Sequence, residues 1–171
     1  MTLPHDGDCL TLLGLDPGLA TVGFGVLTLN PAKRQVLHSK WGIITTTPQG
    51  STPHRLAEIY ADTLNLLQQV QPTHIAIEQL FYFRNITTAL PVAQARGVLL
   101  LACQQWHTNI PLAEYTPMQV KQALTGYGKA SKAEIQAAVQ TRLALDVLPK
   151  PDDAADGLAI ALCHAQFAGW L

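Results

Sequence analysis

Residues Leu10 to Leu15 form a nearly continuous apolar run, which suits a strand buried on both faces. A strand of that kind needs cover on both sides of its sheet. The run stops at Asp16-Pro17-Gly18, a strong turn signal. Val22 to Leu29 reads as a second strand, closed by Asn30-Pro31, and Gln35 to Thr46 as a third. Short turns join the three, which predicts an antiparallel meander.

The hydrophobic period then changes. Leu56, Ile59, Tyr60, Leu64, Leu67 and Val70 recur at helical spacing, with Glu58, Asp62 and Gln68 facing away, and Pro72 stops the helix. Ile75 to Ile77 is a short apolar strand that runs into Glu78. A helix rich in small residues is expected from about Thr88 to Trp106, with Pro91 in its first turn. A strand near 110–115, a short helix near 117–124 and the loop Gly126-Tyr127-Gly128-Lys129 follow. Ser131 has Glu134 three residues on, the capping-box spacing. An almost wholly apolar helix from Asp153 to Leu171 must be buried. This order predicts an α/β fold: a mixed five-stranded sheet, three antiparallel strands and then parallel ones, with helices on both faces.

At 171 residues the chain fits one domain, 1–171, with residues 1–9 a loose polar extension. Hydrophobic residues make up 48% and charged ones only 13%, which excludes disorder for most of the chain. The net charge of −1 excludes a generally basic protein that coats nucleic acid, so contact with a polyanion needs a local patch. Cys9, Cys103 and Cys163 form no CxxC pair, so a zinc ribbon or disulfide framework is not expected. No Lys or Arg precedes Lys33, and the uncharged stretch 97–113 is too polar to span a bilayer. The expectation is a cytoplasmic protein without membrane contact.

Carboxylates are scarce here, which makes their positions informative. Asp16 and Glu78 each end an apolar strand, and Asp153 and Asp156 share one face at the start of the buried helix. Four acids in one cleft would raise each other's pKa, so such a cluster makes sense when cations neutralise it. Mg2+ prefers hard oxygen ligands, and two ions about 4 Å apart can activate a water and stabilise the leaving oxygen of a phosphodiester. Each acid also has a plainer reading. Asp16 can simply shape a turn, Glu78 can be an ordinary strand-end acid, and Asp152 or Asp153 can cap the helix. Spacing alone does not choose between Asp152 and Asp153 as the partner of Asp156.

Two further features each have two readings. Phe81-Tyr82-Phe83-Arg84 crowds a loop just after Glu78, and such aromatics beside a cation can stack on unpaired bases or plug the core or a dimer contact. The lysines that follow can likewise meet phosphate or form a solvated helix face. Lys121, Lys129 and Lys132 lie in a locally basic window, suited to phosphate contact, with Gly126 and Gly128 allowing close approach to a backbone. None of the six histidines is expected to act in catalysis; His164 reads as a buried or helix-face residue.

Leu13-Gly14-Leu15-Asp16-Pro17-Gly18, Ala76-Ile77-Glu78-Gln79, Gln94-Ala95-Arg96-Gly97 and Asp153-Ala154-Ala155-Asp156 with Leu158-Ala159-Ile160-Ala161 together resemble the RuvC family of bacterial Holliday junction resolvases. The resemblance spans about residues 10–168. It implies a ribonuclease-H-like fold, a homodimer, and paired Mg2+-dependent nicking of four-way DNA junctions, with Mn2+ as a substitute ion. It implies that Asp16, Glu78, Asp153 and Asp156 are the catalytic, metal-binding acids, which selects Asp153 over Asp152. It further implies that Phe81 stacks at the junction centre, that Lys121 and Lys132 meet DNA, that the 94–97 helix lines the dimer contact, and that a RuvA–RuvB motor is a partner. Arg84 and Lys129 are read as further DNA contacts. Gly157 departs from the pattern, standing where Ala is typical, at an expected helix cost of about 1 kcal/mol.

Overall fold

Alternation along the first strand organises the molecule. Leu12 points to one side of the sheet, Leu13 and Leu15 to the other, and all three are fully buried. The computed structural model describes residues 9–80 and 86–171. Its elements are β1 (Leu10–Asp16), β2 (Thr21–Asn30), β3 (Gln35–Thr45), α1 (Thr52–Val70), β4 (His74–Glu78), α2 (Ile86–Trp106), β5 (Leu112–Tyr115), α3 (Pro117–Thr125), α4 (Lys132–Arg142) and α5 (Asp152–Phe167).

The strands lie in the order β3-β2-β1-β4-β5. The β1–β2 and β2–β3 pairs are antiparallel, and β1–β4 and β4–β5 are parallel. This is the expected mixed sheet. One core joins Leu13, Leu15, Ile75 and Ile77 to Ile59 and Leu67 of α1 and Leu99 of α2. The other joins Leu12, Leu27 and Ala76 to α3, α4 and above all α5, which is buried along most of its length. Both faces are therefore covered, as the apolar reading of β1 requires.

Helix starts follow local chemistry. Ser131 and Glu134 form the expected reciprocal box at α4, and Thr116 and Gln119 form a second one at α3. Two boundaries differ from the sequence expectation. Helix α2 begins at Ile86, so Pro91 lies inside it rather than in its first turn. Helix α5 ends at Phe167, not Leu171, because Gly169 takes a left-handed φ of 74°. There Gly169 N donates to the Gln166 carbonyl at 3.1 Å and Trp170 N to that of Ala165 at 2.9 Å, a Schellman closure. The chain turns back, and Trp170 lays its ring edge-on to His74 and His164.

A seam of glycines brings α5 down onto the sheet. A Cβ on Gly14 would lie 2.2 Å from the Gly157 carbonyl oxygen, and one on Gly25 2.3 Å from Leu158 N. One on Gly157 would lie 2.4 Å from the Phe24 carbonyl carbon, and one on Gly23 1.8 Å from the Asp153 carbonyl oxygen. Gly157 is thus the residue that close approach demands, which accounts for its departure from Ala.

Candidate active site

Strand periodicity sets the first two acids. Leu12, Gly14 and Asp16 share the α5 side of β1, and Ala76 and Glu78 share that side of β4. The parallel register pairs Leu15 with Ile77, so Asp16 and Glu78 follow side by side at the strand ends. Helix α5 starts over this edge. Its first turns deliver Asp153 and Asp156, and the glycine seam below fixes how closely they approach Asp16.

One carboxylate oxygen from each of Asp16, Asp153 and Asp156 lies within 4.8 Å of the other two. Glu78 is not part of that tight triad. It lines the same cavity, of about 270 Å³, with Asp16, Asp156, Lys121 and Lys132 over an apolar floor of Val120, Ile135 and Ile160. Asp152, the alternative that spacing left open, turns away: its Oδ1 accepts from Gln136 Nε2 at 2.9 Å. Lys132 Nζ stands 3.5 Å from Asp152 and 3.2 Å from Asp156, so one ammonium bridges the two acids.

The site is short of positive charge for its acids. Burial first, then Glu78, Asp156 and Asp153, push the Asp16 carboxyl up to about 8, against a smaller pull from Lys132. Burial and then Asp156 raise Glu78 to about 7, with Lys121 pulling down. Burial also raises Asp156, although Lys132 opposes this by charge and hydrogen bond. Partial burial works against the Lys132 ammonium, but Asp156, Asp152 and Asp153 outweigh it and hold its pKa above the ordinary value. Hard oxygen donors that hold protons so tightly are the donor set a divalent cation would fill.

Lys121 and Lys132 thus stand at the cavity, whereas Lys129 is exposed on the loop before α4 and does not line it. Phe81 and Arg84 lie outside the described residues, as do residues 1–8. His164 is buried, as expected, and sits at the far end of α5 from the acids, with Tyr115 Oη 2.8 Å from its Nδ1. The sequence reading did not anticipate the glycine seam. Its signal was the Gly23 and Gly25 pair, two apart on one strand face, together with Gly14 and Gly157.

The model of the crossover junction endodeoxyribonuclease RuvC family matches residues 12–164. The crossover junction endodeoxyribonuclease RuvC of Moorella thermoacetica is 47% identical over 162 residues, 94% of each chain. That of Natranaerobius thermophilus is 45% identical over 157 residues, 92% of this chain and 95% of its own. Among solved structures, T. thermophilus RuvC in complex with a Holliday junction substrate superposes with a TM-score of 0.82 at 37% identity, covering 94% of this chain and 95% of that one. The yeast mitochondrial Holliday junction resolvase shares the fold, with a TM-score of 0.65 at 14% identity over 93% of this chain and 80% of its own. The strand order, the acids at the sheet edge and these likenesses agree, and the chain belongs to the RuvC family of crossover junction endodeoxyribonucleases.

Proposed function

We propose that this chain resolves four-way DNA junctions by paired, symmetric nicks, acting in DNA recombination and repair, with Asp16, Glu78, Asp153 and Asp156 as its catalytic acids. The carrying observation is the convergence of Asp16, Asp153 and Asp156, whose carboxylate oxygens fall within 4.8 Å of one another. The donor set fits Mg2+, with Mn2+ as a substitute: oxygens only, and among the described residues no Cys or His belongs to a group that could hold a metal. When bound, a pair of such ions supplies the Lewis acidity that activates a water and offsets charge on the departing 3′ oxygen, which leaves 5′-phosphate and 3′-hydroxyl ends.

The chain's own residues do the rest. Asp16, Asp153 and Asp156 would hold the ions, with Glu78 offering a further oxygen from the neighbouring strand. Lys132 and Lys121 line the same cavity and hold phosphate oxygens there. Phe81, Arg84 and Lys129 are assigned further DNA contacts on the family resemblance. Val120, Ile135 and Ile160 limit water beneath the acids, which strengthens each charge interaction above them.

The paired cut calls for a homodimer with one such centre on each of two opposed strands. Helix α2 supports this reading. Leu90 and Leu101 are 59% and 51% exposed on it, and a Cβ on Gly97 between them would meet nothing within 4 Å among the described residues. We place the whole chain in one nuclease domain working in the cytoplasm with a RuvA–RuvB motor; among the described residues no helix is long and apolar enough to cross a membrane. The test is a mobile synthetic four-way junction with Mg2+, beside linear duplex and beside Asp16→Asn. Nicking confined to the junction and absent from the variant is the expected result; binding without cutting, or equal cutting by the variant, overturns it.

A further inference from the structure

We propose that Arg96 is a positioning residue for Glu78, holding the end of β4 so that this acid meets the Asp16 cluster. The inference rests on the reading of Glu78 as a catalytic acid.

The main chain at this point has a specific problem. Register pairing between β1 and β4 ends at Leu15 and Ile77, so the inner edge of Glu78 has left the ladder. On the outer edge Glu78 still pairs with Tyr115, and Gln79 N donates to the Tyr115 carbonyl at 2.7 Å. The Glu78 carbonyl is instead met from another layer: Arg96 Nε of α2 donates to it at 3.1 Å. The same guanidinium pairs through Nη2 with the carboxylate of Glu114 on β5. Arg96 is only 15% exposed, whereas Glu114 is 41% exposed. One planar group therefore ties the end of β4 to the edge strand and to a helix on the opposite face from α5.

The arrangement acts on the backbone of Glu78, not on its side chain. Clamping the carbonyl fixes the backbone at Glu78 and with it the direction of the Cα–Cβ bond, the root from which the carboxylate reaches the cluster. Arginine suits this because its donors form a rigid fork; a lysine would reach one partner at a time. Arg96 also precedes Gly97, which lies on the exposed side of α2. The residue thus joins the helix surface assigned to the dimer with the strand end that carries a catalytic acid.

The test is a double-mutant cycle on single-turnover junction nicking: wild type, Arg96→Gln, Glu78→Gln and both together, with junction affinity measured without divalent ions. A misplaced catalytic group costs on the order of tenfold to a hundredfold. Arg96→Gln should slow nicking by about tenfold or more, with junction Kd unchanged within about twofold. In the double variant the Arg96 change should add nothing to the loss from Glu78→Gln, because its effect passes through that residue. Arg96→Lys should recover part of the rate. A smaller slowing, a weakened Kd, or losses that multiply in the double variant overturns the proposal. Should Arg96→Gln fail to fold by circular dichroism, Arg96→Lys runs the same cycle. Full activity of Glu78→Gln sinks the reading of Glu78 itself, whereas an inactive Glu78→Gln beside a fully active Arg96→Gln sinks only the role of Arg96.

Discussion

Lys132 Nζ lies 3.2 Å from an Asp156 carboxylate oxygen, an ion pair that joins α4 to α5 across the lining of the acidic cavity. The Ser131–Glu134 capping box sets the start of α4 and so the root of the Lys132 side chain. The lysine is half exposed, so it can answer to a phosphate as well as to Asp156. Lys132→Ala should weaken junction binding and lower the slope of log K against log salt by about one. Fluorescence anisotropy across a salt series checks this, and an unchanged slope would remove Lys132 from the DNA contacts.

The acids predict a pH dependence of stability for the metal-free protein. Asp16 holds its proton to about 8 in the fold but only to 3.8 when unfolded, so that stabilisation is present below 3.8 and is lost as pH climbs to about 8. Glu78 behaves alike up to about 7. His164 works in the other direction: burial and then His74 lower it from 6.5 to about 4, so its contribution is present above 6.5 and is lost on acidification. From pH 6.5 to 8 the acids act without opposition from His164. Thermal melting in EDTA should show Tm falling over that window, Asp16→Asn should flatten the fall, and Mg2+ should offset it.

Gly157→Ala tests the seam. In an open helix the change would gain up to about 1 kcal/mol. Here the added carbon would meet the backbone of Phe24 and Gly25 at 2.4 and 2.6 Å, and backbone cannot swing aside. We expect a net loss of about 1–3 kcal/mol in urea unfolding, the usual cost of overpacking. Nicking should fall by more than the loss of folded protein explains, because α5 carries Asp153 and Asp156. A stabilised variant would contradict the packing.

Tyr115→Phe addresses the far end of α5. Among the described residues His164 Nε2 is buried without a partner, and the Tyr115 hydroxyl lies 2.8 Å from Nδ1. Removing it should cost about 1–3 kcal/mol in urea unfolding. Junction nicking at a temperature where the variant is folded should be unaltered, since His164 and the acids lie at opposite ends of the helix.

Much of this was legible in the chain because it rests on short-range patterns. The apolar run of β1 announced cover on both faces, the period change announced α1, and Ser131 with Glu134 announced α4. The acids could be found because each sits where an element ends. What stayed hidden depends on contacts between distant segments. Spacing left Asp152 and Asp153 equal and the resemblance chose Asp153, but the physical reason lies in the approach of α4, where Asp152 turns outward to Gln136 while Asp153 turns toward Asp16. Gly157 looked like a weak point in a helix until Phe24 was seen pressed against it. Arg96 was visible as part of a motif, but its bond to the Glu78 carbonyl joins residues 18 apart across two layers. Pro91 shows the limit of boundary rules, since α2 starts at Ile86, upstream of the place where proline signals a start.

The four missing methyl groups at Gly14, Gly23, Gly25 and Gly157 have a consequence for how such a centre can vary. They set the gap between helix and sheet by main chain resting on main chain, a gauge that no rotamer change can alter. Loops, strand edges and the DNA-facing surface can drift around it while the acids keep their spacing. Anyone transplanting this centre into another scaffold would have to copy the gauge along with the carboxylates.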